Sequence, residues 1–200
     1  MTFNDLSSPL SYLTTRRSAK PRELAGRRPD ASEMRDFARI AARSPDHGKL
    51  APWRFTIVPE EQRRAFRALL ESAFLGANPD ARPASVEAAC QFADYDAALM
   101  IASFEPVDSA KIPRWEQELS CGAAVMNLCH AAHASGYVCG WVTGWASTDP
   151  IVTTEFCGDS GRIAGIVFIG SPGAPLEERP RPELDEVARV WEAKTAPPHS

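Results

Sequence analysis

The sequence predicts an α+β fold, and three observations carry that reading. The stretch from Arg114 to Gly136 reads as one long helix that is apolar or small on almost every side. Four short segments are strand-like: Trp53–Val58, Ala97–Phe104, Tyr137–Thr143 and Ile163–Ile169. Helical patterns fall between them at irregular intervals and outnumber them, so no clean βαβ alternation is present. Two hundred residues suit one domain spanning 1–200.

In chain order, Phe3–Leu13 is a short amphipathic start that Pro9 is expected to interrupt. Thr14–Pro21 is a basic loop. Ser32–Arg43 opens with Ser32 and Glu33 and carries Met34, Phe37, Ile40 and Ala41 at helical spacing. Ser44-Pro45-Asp46-His47-Gly48 breaks it. Pro59 closes the strand Trp53–Val58. Glu60–Leu75 is a helix with Phe66, Leu69, Leu70 and Phe74 on one face. A loop over Gly76–Pro83 leads to a short helix at Ala84–Phe92. Ala97–Phe104 is a continuous apolar run, as a central strand requires.

The long helix has Pro113 before it and Gly136 after it. Glu116 and Glu118 sit where the helix dipole favours negative charge. Glu116, Ser120, Asn127 and His130 share one narrow polar stripe. Gly122, Ala123, Ala124, Ala131, Ala132 and Ala134 keep the helix thin. Such a helix is a core axle or half of a subunit interface, and a glutamate at Ala124 is expected to disrupt that interface. Pro150–Phe156 is a short helix, and 158–161 and 170–173 read as turns. The tail is rich in proline and charge, with Leu184, Val187 and Val190 as scattered anchors.

Composition excludes several classes. A net charge of −4 offers no basic field for nucleic acid. Five cysteines form no C-x-x-C pair, which suits reduced thiols in the cytoplasm. No apolar stretch is long enough to span a membrane, and no signal-peptide pattern is seen. Gly158-Asp159-Ser160-Gly161 and Ala131-Ala132-His133 mimic serine-protease signatures, but the histidine lies in a helix and the rest of that design is missing. His130 and His133 lack a third metal ligand, and no G-x-G-x-x-G is present.

Two clusters remain. Arg16-Arg17-Ser18-Ala19-Lys20 places three cations and a hydroxyl within five residues beside a helix end. Forked arginine donors, a hydroxyl and backbone N–H groups suit a phosphate; the alternative is a solvated basic loop. Arg43-Ser44-Pro45-Asp46-His47 followed by Pro52-Trp53 places a histidine in the loop before a strand. The alternative there is a capping turn with Trp53 in the core.

Together these stretches resemble the nitroreductase family of FMN-dependent NAD(P)H oxidoreductases. Arg16-Arg17-Ser18 looks like its N-terminal phosphate motif. Ser44–His47 with Pro52-Trp53 resembles its Pro-Ser-x-x-Asn-x-Gln-Pro-Trp segment, in a subgroup carrying Ala-Pro-Asp-His. Pro113-Arg114-Trp115-Glu116-Gln117-Glu118 matches the same subgroup, Gly140–Gly144 looks like its glycine-bounded strand, and Arg181–Val187 resembles its closing tail. The resemblance implies a mostly antiparallel central sheet flanked by helices, and a homodimer with the long helix buried at its interface. Residues 174–200 would pack on the partner subunit.

It further implies that Arg16 and Ser18 hold the FMN phosphate, that Arg17 supports the loop, and that Lys20 approaches the pyrimidine end. Arg43 and His47 would reach FMN, from their own or the other subunit. Trp141, Val142 and Thr143 would line the ring, with a backbone N–H near Gly144 facing it, and Arg181 would add a phosphate cation. NADH or NADPH would be the donor, and a nitroaromatic, quinone or similar flat small molecule the acceptor, in a ping-pong reaction. A flavin-binding redox sensor or FMN carrier with little turnover is the alternative. Ala51 replaces a common glutamine, and Val142 stands where the subgroup tends to have arginine.

Overall fold

The computed structural model describes residues 2–158 and 160–193. Strand β5 (Arg162–Pro172) is the spine of the sheet, and every pairing in it is antiparallel. One edge of β5 pairs with β3 (Ala98–Phe104), whose far neighbour is β2 (Trp53–Val58). The other edge takes β4 (Val138–Val142), and β1 (Leu24–Ala25) pairs with the last residues of β5. Side chains alternate across the two central strands. Leu99, Ile101, Ile166 and Phe168 enter the core that also holds Phe66, Leu70 and Val152. Met100, Ala102, Val167 and Ile169 enter the opposite core with Met34, Phe37, Val125 and Leu128. Helices α3 (Arg63–Ala77), α4 (Pro83–Cys90) and α6 (Pro150–Cys157) supply the first layer; α2 (Ala31–Ala41) and α5 (Arg114–Ala134) supply the second. Burial on both faces is why β3 and β5 read as unbroken apolar runs.

Local chemistry moves several boundaries. Pro9 does not interrupt the first helix; it starts α1 (Pro9–Thr15), with Ser8 as the cap accepting the Ser11 N–H. Helix α2 begins at Ala31 because Asp30 caps it and Glu33 closes a capping box. Residues Glu60–Gln62 form a separate 3-10 turn before α3. Ser171 and Pro172 extend β5 and pair with β1 instead of turning. Asp159, within the expected turn at 158–161, lies outside the described residues.

The polar stripe of α5 is spent inside the chain. Glu116 Oε2 lies 2.7 Å from His47 Nδ1. Ser120 donates to the Pro45 carbonyl, and Asn127 Nδ2 donates to Ser44 Oγ at 2.8 Å. His130 Nδ1 meets the Tyr12 hydroxyl at 2.7 Å. The stripe therefore pins the 44–47 loop and α1. A second, apolar stripe faces outward, with Trp115 60% and Leu119 66% exposed and Ala123 beside them. Ala124 is not on it. That residue is 0% exposed and packs with Trp53, Phe104 and Cys121, so a glutamate there would disrupt the chain's own core before any interface.

His133 is buried at 1% exposure in a fully used hydrogen-bond chain. Its Nε2 accepts the Cys139 N–H at 3.0 Å. In the neutral ring the proton is then on Nδ1, which faces the Tyr12 oxygen at 3.1 Å. Tyr12 in turn donates to His130 Nδ1. This tautomer follows from the partners. Burial pushes the His133 pKa down to about 3, and the nearby Arg16 and His130 add to the effect.

The unfolded chain binds a proton at His133 near pH 6.5, whereas the folded chain refuses it until about 3. Stability from the neutral ring is therefore full above the unfolded value and is lost as pH falls toward the folded one. At ~1.4 kcal/mol per pKa unit the loss is on the order of 5 kcal/mol. Urea melts from about pH 8 down to about pH 4 should show a steeper loss of stability in the wild type than in His133→Gln. Parallel profiles would show that this ring titrates normally.

Candidate functional site

The loop from Arg16 to Lys20 follows α1 and is held at three points. The Asn4 side chain clamps Arg17 in both directions: Oδ1 accepts the Arg17 N–H at 2.8 Å and Nδ2 donates to its carbonyl at 3.1 Å. Ala19 donates its N–H to the Cys139 carbonyl at 3.3 Å. Close contact with β4 is possible because residue 140 is glycine. A Cβ there would sit 2.8 Å from the Ala19 oxygen and 3.1 Å from Pro21.

A second wall comes from β4. Trp141 Nε1 donates to the Ala164 carbonyl at 3.1 Å, and its indole lies against Gly165, where a side chain would collide with it. Val142 follows, half-buried. The third wall is the segment from Leu176 to Arg181. Arg17, only 9% exposed, donates Nε to the Glu177 carbonyl, and its guanidinium lies 3.6 Å from the Glu178 carboxylate. Glu178 also pairs with Arg181 at 3.2 Å. The three walls enclose a cleft of about 340 Å³.

Charge in the cleft is unevenly compensated. Lys20 pairs with Glu23 at 2.8 Å, and that hydrogen bond holds the Glu23 carboxyl below the usual carboxylate range. Glu178 is held low by the Arg179 N–H and by the charges of Arg181 and Arg17. Among the described residues Arg16 forms no ion pair; its Nη1 reaches only Ser18 Oγ, at 3.2 Å. A forked cation with no acid partner, a hydroxyl beside it and Arg179 and Arg181 opposite fit a phosphate dianion. Among the described residues no cluster of His, Cys, Asp or Glu could hold a metal ion, and no helix is long and apolar enough to cross a membrane.

The structure thus gathers Arg16, Arg17, Ser18, Lys20, Trp141, Val142 and Arg181 around one cleft. Arg43, His47, Thr143 and Gly144 do not line it. Arg43 and His47 are exposed, and His47 is engaged with Glu116 at the N-terminal end of α5. Strand β4 ends at Val142, and the Gly144 N–H is taken by Ser147 Oγ at 3.2 Å, so that amide is spent within its own turn. The tail, expected on a partner, first crosses its own chain: residues 176–181 line this cleft. Beyond it, in and after α7 (Leu184–Val187), Leu184, Val187, Val190 and Trp191 are 66–89% exposed, and residues 194–200 lie outside the described part. Sequence reading missed Asn4, Tyr12, His133, Glu23 and Arg179; of these, Glu23 had a local signal in its i,i+3 spacing from Lys20, whereas Tyr12 and His133 meet across 121 residues.

Gly140→Ala should lift the loop from β4 and break the Ala19–Cys139 hydrogen bond. With such a bond worth roughly 1.4 kcal/mol, the Ala19 amide should exchange with deuterium about tenfold faster. Unchanged exchange would show that the loop does not depend on this contact.

The model of the Nitroreductase family matches residues 13–171. The Escherichia coli K12 protein named "Putative NAD(P)H nitroreductase YdjA" is 33% identical over 164 residues, covering 82% of this chain and 87% of its own. In fold, the chain is similar to a nitroreductase-like family protein from Bacillus cereus, with a TM-score of 0.78, 20% identity and coverage of 96% of this chain and 100% of that one. It is also similar to a nitroreductase with bound FMN from Bacteroides fragilis, with a TM-score of 0.67, 22% identity and coverage of 92% and 98%.

Proposed function

The chain belongs to the nitroreductase family, and on that footing we propose that it is an FMN-dependent oxidoreductase using NADH or NADPH to reduce flat acceptors such as nitroaromatics or quinones. The observation that carries this is the cleft itself: an arginine with no acid partner among the described residues and a serine hydroxyl, on a loop pressed against β4, facing a wall that includes Trp141. Its volume of about 340 Å³ leaves room for a planar ring system. The bound FMN of a family neighbour supports the choice of cofactor.

In this reading Arg16 and Ser18 hold the phosphate, with Arg179 and Arg181 closing on it from the tail. Arg17 has a different task from its neighbour, because its guanidinium is turned to Glu177 and holds the tail segment in place. Trp141, fixed by Ala164, keeps one wall flat. Lys20 stands at the far end of the loop as the cation for the pyrimidine side, with its charge shared with Glu23. The cofactor, when bound, supplies the hydride chemistry in two half-reactions, the nicotinamide leaving before the acceptor enters. The protein's part is to position, to balance charge and to limit access to flat molecules.

We assign two such chains to a homodimer through the outward stripe of Trp115, Leu119 and Ala123, with Leu184, Val187, Val190 and Trp191 of the tail lying on the partner. Among the described residues these apolar groups stay largely exposed within one chain. Arg43 and His47 would then serve the partner's cleft.

The purified protein should be yellow and release FMN, not FAD, on denaturation. Arg16→Ala should lower FMN affinity on the order of ten- to a hundredfold, since a charge-assisted contact is worth about 1.5–3 kcal/mol. Flavin fluorescence titration of the apoprotein measures this, and anaerobic bleaching by NAD(P)H separates an enzyme from a carrier. A colourless protein that FMN cannot reconstitute would sink the proposal. Leu119→Glu should yield monomers by light scattering while leaving the far-ultraviolet spectrum unchanged; an intact dimer would place the interface elsewhere.

A further inference from the structure

Four residues, Arg16 to Ala19, form the part of the cleft that would meet a phosphate, and both ends of that segment lead to one buried ring. At the N-terminal end, Tyr12 lies one helical turn before Arg16 in α1, and its hydroxyl oxygen faces His133 Nδ1 at 3.1 Å. At the C-terminal end, Ala19 donates to the carbonyl of Cys139, and Cys139 donates its own N–H to His133 Nε2 at 3.0 Å. Both backbone groups of Cys139 therefore point to the open edge of β4, away from β5. One is taken by the ring and the other by the loop. A plain core histidine needs only satisfied nitrogens. Here each nitrogen is joined to a different end of the same short loop.

We propose that His133, acting through Tyr12 and through Cys139, is a positioning residue that presets the Arg16–Ala19 loop for a phosphate-bearing ligand. His133 touches no ligand; it lies beneath the loop at 1% exposure. The chain of donors has one consistent direction: Cys139 N–H to His133, His133 Nδ1–H to Tyr12, Tyr12 O–H to His130. Removing the Tyr12 hydroxyl leaves a buried Nδ1–H without an acceptor, and the ring can then tilt away from Cys139. The loop would lose its registration at both ends while the ring-binding wall at Trp141 stays in place.

The inference rests on the FMN reading for its ligand, and the test separates the two. Apoprotein is titrated with FMN and with riboflavin, which lacks the phosphate. For Tyr12→Phe the expected result is FMN affinity lowered about five- to tenfold, with riboflavin affinity unchanged. His130→Ala, at a half-buried site, should give a smaller loss with the same selectivity, and His133→Gln, which keeps one acceptor and one donor, should retain more FMN affinity than His133→Leu. Equal weakening of both flavins, or no weakening of FMN, would overturn the inference. If the wild type binds neither flavin, the proposed function fails, and deuterium exchange at the Ala19 amide decides this inference alone. Faster exchange in Tyr12→Phe supports the positioning role, and unchanged exchange overturns it.

Discussion

The cleft exists because residue 140 carries no Cβ. Any side chain there would displace the Ala19 carbonyl and Pro21, and with them the loop that carries Arg16, Ser18 and Lys20. Gly140 is not a turn glycine; it sits within β4, where glycine ordinarily weakens a strand. The cost is accepted where a second backbone must come close. A related constraint operates at Gly165, which makes room for the Trp141 indole. Two glycines on neighbouring strands thus shape two of the three walls.

Helix α5 divides its tasks by face. Its polar stripe is used within the chain, on Pro45, Ser44, His47 and Tyr12. Its outward stripe carries large apolar groups that stay mostly exposed among the described residues. The low polarity that makes the helix look uniformly buried therefore has two separate causes. Small residues such as Ala124 and Ala132 are in the core, and larger ones such as Trp115 and Leu119 are not.

Strands were legible wherever composition decided them. Trp53–Val58 matches the reading residue for residue because its β-branched and aromatic residues mark it, and the Ala97–Phe104 run is off by one position, its burial on both faces leaving a continuous apolar signal. Two-residue β1 left none, and Gly170–Gly173 looked like a turn because glycine and proline dominate it, although pairing with β1 keeps Ser171 and Pro172 in the strand. In the cleft, the cationic loop was visible because its chemistry lies within five consecutive residues. The roles within it were not. Arg16 and Arg17 are neighbours of the same type, yet among the described residues one has no acid partner and the other is tied to Glu177 at a separation of 160 residues. Tyr12 meets His133 across 121 residues and Asn4 meets Arg17 across 13, and neither contact leaves a local pattern.

That separation has a consequence for how the cleft can be taken apart. Two of its walls belong to the loop and to β4, whereas the third, from Leu176 to Arg181, lies beyond the end of β5 at Pro172 and is tied back by Arg17. Every strand pairing lies within residues 24–172, so the sheet does not depend on that segment. A protease that clipped the chain between Pro172 and Leu176 would thus leave the sheet paired and the cleft open on one side.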